Sequence, residues 1–348
     1  MTNVYFRKVR SGSAGETGTA ARAALAALVS GEKINLSGDI PIKVHFGEKG
    51  NETFIKPSAY DGIIDFLSER GIKTCFIETN VMYAGSRHRK DLHLKTAEEH
   101  GFTRLPIIIA DGDFGEDYSE VEINKKHFRT CKLGKEFSKY NQIIVASHFK
   151  GHILAGFGGA IKQLSMGFAS KGGKMAMHLG VKPKIRSSKC KRCESCLPAC
   201  KENAIVIGER SYIDYSRCVG CGACLGLCPN NAITVVTLKS AVNAVLGGIG
   251  NPFLEKLAEY ACAAHSGRKN IYINFATDIT ADCDCLPKKM KAIVENIGIF
   301  ASTDPVAVDR ACCDAVSARG KKFRGKKIFD YAERIGLGSK EYVLKEIS

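Results

Sequence analysis

Cys190-Lys-Arg-Cys193-Glu-Ser-Cys196-Leu-Pro-Ala-Cys200 and Cys218-Val-Gly-Cys221-Gly-Ala-Cys224-Leu-Gly-Leu-Cys228-Pro229 share one spacing and hold eight of the chain's 15 cysteines. A 4Fe–4S cube needs four thiolates, and the x2-x2 spacing lets three of them grip one cube from a short loop. The fourth cysteine of each run then reaches the other cube. The expected sets are Cys190, Cys193, Cys196 and Cys228 for one cluster, and Cys218, Cys221, Cys224 and Cys200 for the other.

This spacing resembles bacterial two-cluster ferredoxins. The repeat extends past the cysteines, with Asn203-Ala204-Ile205 after the first run and Asn231-Ala232-Ile233 after the second. Lys201 stands where the second copy has Pro229, a conformational aid and not a ligand. Zinc knuckles usually pair two C-x2-C arms and do not crowd four cysteines into one run.

The chain has 348 residues, enough for two domains, and its 45% hydrophobic content supports a sizeable core. The start, MTNVYFRKVR, lacks the apolar stretch of a signal peptide, and no apolar run reaches membrane-span length. A reducing cytoplasm is therefore expected, with thiolates serving metals; such clusters would suit an anaerobe. The net charge of +15 is spread along the chain, densest at Arg87–Lys90, Lys171–Arg192 and Arg319–Lys327. With no nucleic-acid motif and no Trp, this reads as a solvated basic face for acidic redox proteins or small anionic substrates, and nucleic acid is not expected. The oligomeric state is not legible.

Short apolar strands alternate with helices on both sides of the cysteines. Pro41–Phe46, Ile72–Glu78, Leu105–Ala110, Gln142–Ser147, Ile271–Phe275 and Ile297–Ala301 read as strands. Helices are expected after Ser58, over Asp91–His100, over Pro287–Asn296 and over Pro305–Val316, the last with Asp304 as N-cap. The expected fold is α/β, a doubly wound, mostly parallel sheet interrupted by a small ferredoxin-type insert. Residues 1–185 and 239–348 would form one discontinuous α/β domain around a two-cluster module at 186–238.

Lys43-Val-His45-Phe-Gly47-Glu48-Lys-Gly50-Asn51, Ala110-Asp111-Gly112, Ser147-His148-Phe-Lys150-Gly-His152, Gly158-Gly159-Ala-Ile-Lys162, Asp282-Cys283-Asp284-Cys285 and the Gly298 to Asp309 stretch together resemble the domain-of-unknown-function family 362, in its branch with a ferredoxin insert. Asn296 departs from that pattern, where the family commonly has Asp. The resemblance implies a fold and iron–sulfur clusters, and no settled reaction.

Ligands of open α/β sheets bind beyond the carboxyl ends of the strands. Those ends present His45 and Glu48, Glu78 and Asn80, Asp111 and Asp113, then His148, Lys150 and His152, and Asn274 and Asp278. Strand alternation would put His148, Lys150 and His152 on one face, suited to a metal beside an anion or to acid–base work with a substrate clamp. Gly156, Gly158 and Gly159 would let the backbone approach a ligand, with Lys162 and the next helix's N-terminus attracting an anion. This local stretch is also similar to the metal-cofactor domain of lactate racemase.

Cys283 and Cys285 are read as ligands of an additional metal, a redox pair or a reactive thiolate, against ordinary loop cysteines. Cys75, Cys262, Cys312 and Cys313 are expected in the core. No flavin fingerprint is present, so flavin is neither expected nor excluded. The leading expectation is a redox enzyme or accessory reductase using low-potential electrons near His45, His148, Lys150, His152 and Lys162. The rivals are an electron carrier whose α/β part docks partners, and a non-redox metal-cofactor isomerase with structural clusters.

Overall fold

A computed structural model describes residues 1–83, 85–178, 182–235 and 251–348. The expected boundary of the insert at 238/239 lies outside the described residues. Along the chain come β1 (Thr2–Lys8), α1 (Ala14–Gly31), β2 (Ile42–Lys43), α2 (Asp61–Ser68), β3 (Phe76–Glu78), α3 (Lys90–Glu99), β4 (Ile107–Ile109), β5 (Tyr118–Glu122) and β6 (Thr130–Gly134). Then follow β7 (Ile144–His148), β8 (Lys150–His152), β9 (Gly156–Gly158), α4 (Ala160–Phe168), α5 (Lys171–His178), β10 (Lys184–Ile185), β11 (Ile205–Val206), β12 (Tyr212–Ile213) and β13 (Ile233–Thr234). The described chain closes with α6 (Asn251–His265), β14 (Ile271–Ala276), β15 (Gly298–Ser302), α7 (Pro305–Ser317), α8 (Lys327–Arg334) and β16 (Tyr342–Glu346).

One eight-stranded sheet has the order β16-β1-β15-β14-β7-β2-β3-β4. It is mostly parallel, and of its strands only β15 runs against the others. Its strands come from both sides of the cysteine-rich segment. β10–β13 stay out of it, pairing as β10 with β13 and β11 with β12.

Both faces are covered, as near-continuous apolar strands require. Ile42, Ile144, Ile271 and Ile273 pack under α1, α2 and α3, against Leu25, Ile63 and Ala97. On the other face Val145, Tyr272 and Phe300 meet Leu164 of α4, Leu257 of α6, Val308 of α7 and Phe329 of α8. Fully burying one such aliphatic side chain contributes about 1.5–3 kcal/mol.

The Pro287–Asn296 helix expected from sequence is absent, and this segment is an irregular loop. Its backbone is bound elsewhere: Asn51 Nδ2 donates to the carbonyls of Leu286 (3.1 Å) and Lys288 (3.4 Å), and Ile293 N–H donates to Ile279 O (2.8 Å). The consequence is topological. Without a crossover helix the chain returns beside β14 as the antiparallel β15. The intervening loop stays at the carboxyl end of β14 and carries Cys283–Cys285 over the strand ends.

Asp304 caps α7 as expected, accepting from Val306 N (2.8 Å) and Ala307 N (3.0 Å). Cys312 and Cys313 are buried, but Cys75 and Cys262 are half-buried and not fully in the core. No helix among the described residues is long and apolar enough to cross a membrane.

Candidate functional site

A small, solvent-open cavity lies at the carboxyl ends of β2 and β7 and beside the loop after β14. His45, His148, Lys150, Gly158, Gly159, Lys162, Cys283, Asp284 and Cys285 all line it. The fold thus brings together most of the site residues read from sequence. Gly156 and His152 are outside the lining. Gly156 has φ +84° and packs so closely on residue 324 that a Cβ would sit 2.2 Å from the Arg324 carbonyl oxygen.

His148, Lys150 and His152 do not share one role, because the alternation breaks at Phe149. The Phe149 N–H goes to Phe275 O (2.9 Å), and the chain then starts β8. His148 gives Nδ1 to Asp284 Oδ2 (2.9 Å) and Nε2 to Thr277 O (2.9 Å). Both ring nitrogens are thus engaged by groups outside the strand. Lys150 Nζ donates to the same Asp284 oxygen (2.6 Å) and to His148 O (3.2 Å). His148 and Lys150 are therefore positioning residues that pin the Cys-Asp-Cys loop. Burial would raise Asp284, but Lys150 and His148 outweigh it and hold the carboxyl well below its usual range. Its second oxygen, Oδ1, is buried with no hydrogen-bond partner among the described residues.

His45 faces the pair of sulfurs. Its Nδ1 accepts from Gly47 N–H (3.1 Å), which leaves the proton on Nε2, 3.4 Å from Cys285 Sγ. Burial, helped by Arg87, lowers its pKa, so the ring is neutral. A hydrogen bond from Cys283, followed by His45 and Lys162, pulls Cys285 well below the ordinary thiol value against the effect of burial. Cys283 moves the opposite way, raised first by Cys285 and then by burial. Burial alone would lower Lys162, yet Cys283, Cys285, Asp284 and Glu78 together raise it.

His152 folds back on its own turn, Nδ1 accepting from Leu154 N (3.3 Å) and Ala155 N (3.0 Å). Burial and Lys162 push its pKa down to about 2, and push His178 down to about 4. Both rings are neutral.

Iodoacetamide is expected to label Cys285 before Cys283, with a shallower pH dependence than an ordinary thiol, because the thiolate is the nucleophile. Cys283→Ala removes the main stabiliser of that thiolate, so the rate at Cys285 should then climb with pH. Peptide mass spectrometry over a time course reads both outcomes. A steep climb in the unmodified protein would contradict the assignment.

The glycine turn has a local explanation. Asp309 of α7 accepts from Ala160 N (2.7 Å) and Ile161 N (3.0 Å), so the N-terminus of α4 already holds a carboxylate of this chain. A Cβ at Gly159 would lie 2.2 Å from Asp309 Oδ1. Asn274 Nδ2 completes that carboxylate's shell at 2.7 Å. Lys162 is left as the cation that faces the cavity.

Beneath the cavity lie two buried ion pairs that sequence reading did not single out: Lys43 Nζ–Glu78 Oε1 at 2.7 Å and Arg87 Nε–Glu48 Oε2 at 3.3 Å. The one available signal was Lys43 itself, a charge inside the apolar run of β2.

The cysteine-rich segment holds two further cavities. One is lined by Cys200, Cys218, Cys221 and Cys224, together with Glu116, Tyr118 and Lys201. The other is lined by Cys190, Cys193, Cys196 and Cys228. The backbone repeats with the sequence. Arg192 and Gly220, Glu194 and Gly222, and Asn203 and Asn231 are all left-handed, with φ between +48° and +75°. Ala204 N–H donates to Cys200 Sγ and Ala232 N–H to Cys228 Sγ, each at 3.2 Å. Among the described residues no group of three or more His, Cys, Asp or Glu is placed to hold a metal ion. A cube is held differently, by one thiolate on each of four irons around a cavity.

Two solved structures are similar over most of this chain. A crystal structure of a Thermotoga maritima protein from a structural genomics consortium has a TM-score of 0.46 at 11% identity, covering 89% of this chain and 60% of that one. The lactate racemase apoprotein from Thermoanaerobacterium thermosaccharolyticum has a TM-score of 0.41 at 12% identity, covering 90% of this chain and 57% of that one. The chain therefore spans less than two thirds of either. No curated protein matches it. The sequence pattern of one family, the domain of unknown function DUF362, matches residues 40–314, and the chain belongs to that family.

Proposed function

We propose that the chain is an iron–sulfur redox protein, a redox enzyme or accessory reductase that acts in the cavity around His45, Lys162, Cys283 and Cys285. Cys190, Cys193, Cys196 and Cys228 would hold one 4Fe–4S cluster, and Cys218, Cys221, Cys224 and Cys200 the other. The observation that carries the reading is the crossing: each cysteine-lined cavity takes three cysteines of one run and the last cysteine of the other. Bound there, such clusters supply one-electron transfer at low potential.

The chain's own residues prepare both cavities. The N–H groups of Ala204 and Ala232 stabilise charge on Cys200 and Cys228. Met175, Ile185, Ile205, Ile213, Leu225 and Ile233 give the segment a small apolar cluster. A core of that size does not hold so short a segment alone, which suits a fold completed by metal.

The segment at 186–238 is read as an insert in the α/β domain of 1–185 and 239–348. The Cys218 cavity leans on that domain, where Lys132 Nζ bonds Val219 O (2.6 Å) and Lys201 Nζ bonds Asp117 Oδ1 (2.6 Å). Around the Cys190 cavity, Cys193, Lys189, Lys191 and Arg192 are exposed, which suits an acidic redox partner protein. In the cavity at the strand ends, Lys162 would hold an anionic substrate and His45 would handle a proton.

Single-site variants test the crossed assignment. Cys200→Ser and Cys228→Ser, purified without oxygen, are each expected to fall from about eight irons per chain to about four or fewer. Each should change the EPR signal of a different cluster while the circular dichroism of the α/β domain is kept. Full iron in both variants would contradict the assignment.

A further inference from the structure

We propose that Cys283 and Cys285 are a two-electron redox pair, closing to a disulfide and reopening within the cavity at the strand ends. The inference rests on the iron–sulfur reading and names the group of the α/β domain that stores the electrons.

Four observations carry it. The two cysteines stand two residues apart in one loop and both line the cavity, half-buried, where a reaction partner can reach them. Their loop is anchored independently of the sulfurs. Asp284 between them is pinned by Lys150 (2.6 Å) and His148 (2.9 Å), its carbonyl accepts from Glu48 N–H (3.0 Å), and Leu286 N–H closes a turn on Cys283 O (3.1 Å). Sulfur chemistry can then change while the backbone stays in place.

The third observation is the charge environment. His45 Nε2 stands 3.4 Å from Cys285 Sγ, and Lys162 lines the same cavity with no hydrogen-bond acceptor among the described residues. Lys162 compensates the negative charge that opening the pair creates, and the neutral His45 ring offers it an N–H. The fourth is a contrast within the chain. Cys312 and Cys313 are adjacent and wholly buried, and burial raises both well above the ordinary thiol value, as for inert core thiols.

Two electrons, delivered singly by a low-potential one-electron carrier, break the Cys283 Sγ–Cys285 Sγ bond. Cys283 takes one proton from the cavity's water and leaves as a thiol, while Cys285 leaves as a thiolate under His45 and Lys162. Reversal re-forms the bond and hands two electrons and one proton to a reducible anionic substrate held by Lys162.

The test uses the anaerobic holoprotein, oxidised with excess thionin, freed of dye and titrated with dithionite beside Cys283→Ser and Cys285→Ser. The wild type is expected to take about four electrons per chain and each variant about two, since each cluster accepts one. In parallel, iodoacetamide trapping and peptide mass spectrometry should find the 283–285 peptide unlabelled and about two mass units light when oxidised, and labelled twice when reduced.

Equal electron counts with both thiols labelled in the oxidised sample would overturn the pair while leaving the clusters standing. A metal retained by wild type, lost in both variants and shielding both thiols until chelated would overturn it in favour of a metal site. A light peptide in a protein that binds no iron would support the pair and sink the iron–sulfur reading, so the two failures are distinguishable.

Discussion

Asp284→Ala is expected to destabilise the fold by about 3–5 kcal/mol, the cost of leaving buried charge without its partner. One carboxylate oxygen takes both Lys150 at 2.6 Å and His148 at 2.9 Å, and Asp284 is 1% exposed. Removing it strands two donors that cannot turn to solvent and frees the loop that carries both cavity sulfurs. Asp284→Asn keeps an oxygen toward Lys150 and should cost less. Urea unfolding followed by circular dichroism measures both.

The effect has a pH signature. The folded carboxyl is held below its unfolded value, so its contribution is complete above about pH 4, the unfolded range. It is lost as pH falls toward the folded value. The gap between wild type and Asp284→Ala should therefore be constant near neutrality and shrink below about pH 4. A gap that widened in acid would contradict the ion-pair account.

Glu78→Ala should have an effect of similar size, about 3–5 kcal/mol, for the same physical reason. Lys43 is fully buried, its ammonium held by Glu78 Oε1 and Val44 O, each at 2.7 Å. Burial lowers Lys43 despite Glu78, so without that carboxylate the lysine has little reason to stay charged. The double variant Lys43→Met/Glu78→Leu removes both charges and fills the space with apolar atoms. It should recover to within about 1–2 kcal/mol of wild type, since a buried pair often adds little net stability. Failure of the double variant to recover would show that the pair holds more than its own charges, since Glu78 also accepts from Thr79 N–H at 2.9 Å.

Much of this was legible because its determinants are local. The cysteine spacing, the repeated Asn-Ala-Ile, the strand ends and the Asp304 cap are all short-range patterns. Pairings across the sheet were not. Lys43 and Glu78 meet because β2 and β3 align Lys43 with Ile77, a register that no window of sequence displays. Nor does any local pattern show that Asp309 caps α4 from another helix.

The reversed β15 was missed for a related reason. Pro287 and the lysines after it suggest a helix start, but Asn51 takes the carbonyls of Leu286 and Lys288 and holds the segment as an irregular loop. The His-x-Lys-x-His pattern assumed an unbroken strand. Phe149 ends β7 by bonding to β14, and Asp284, remote in sequence, then decides what His148 and Lys150 do.

Iron–sulfur clusters in the two cysteine-lined cavities would show directly in the protein's iron content. Iron and acid-labile sulfide should be quantified on protein purified without oxygen, with EPR before and after dithionite. The expected result is about eight irons and eight sulfides per chain, and a signal of two interacting reduced clusters. Reproducibly far less iron and sulfide, in protein shielded from oxygen and with no signal after reduction, would contradict the account.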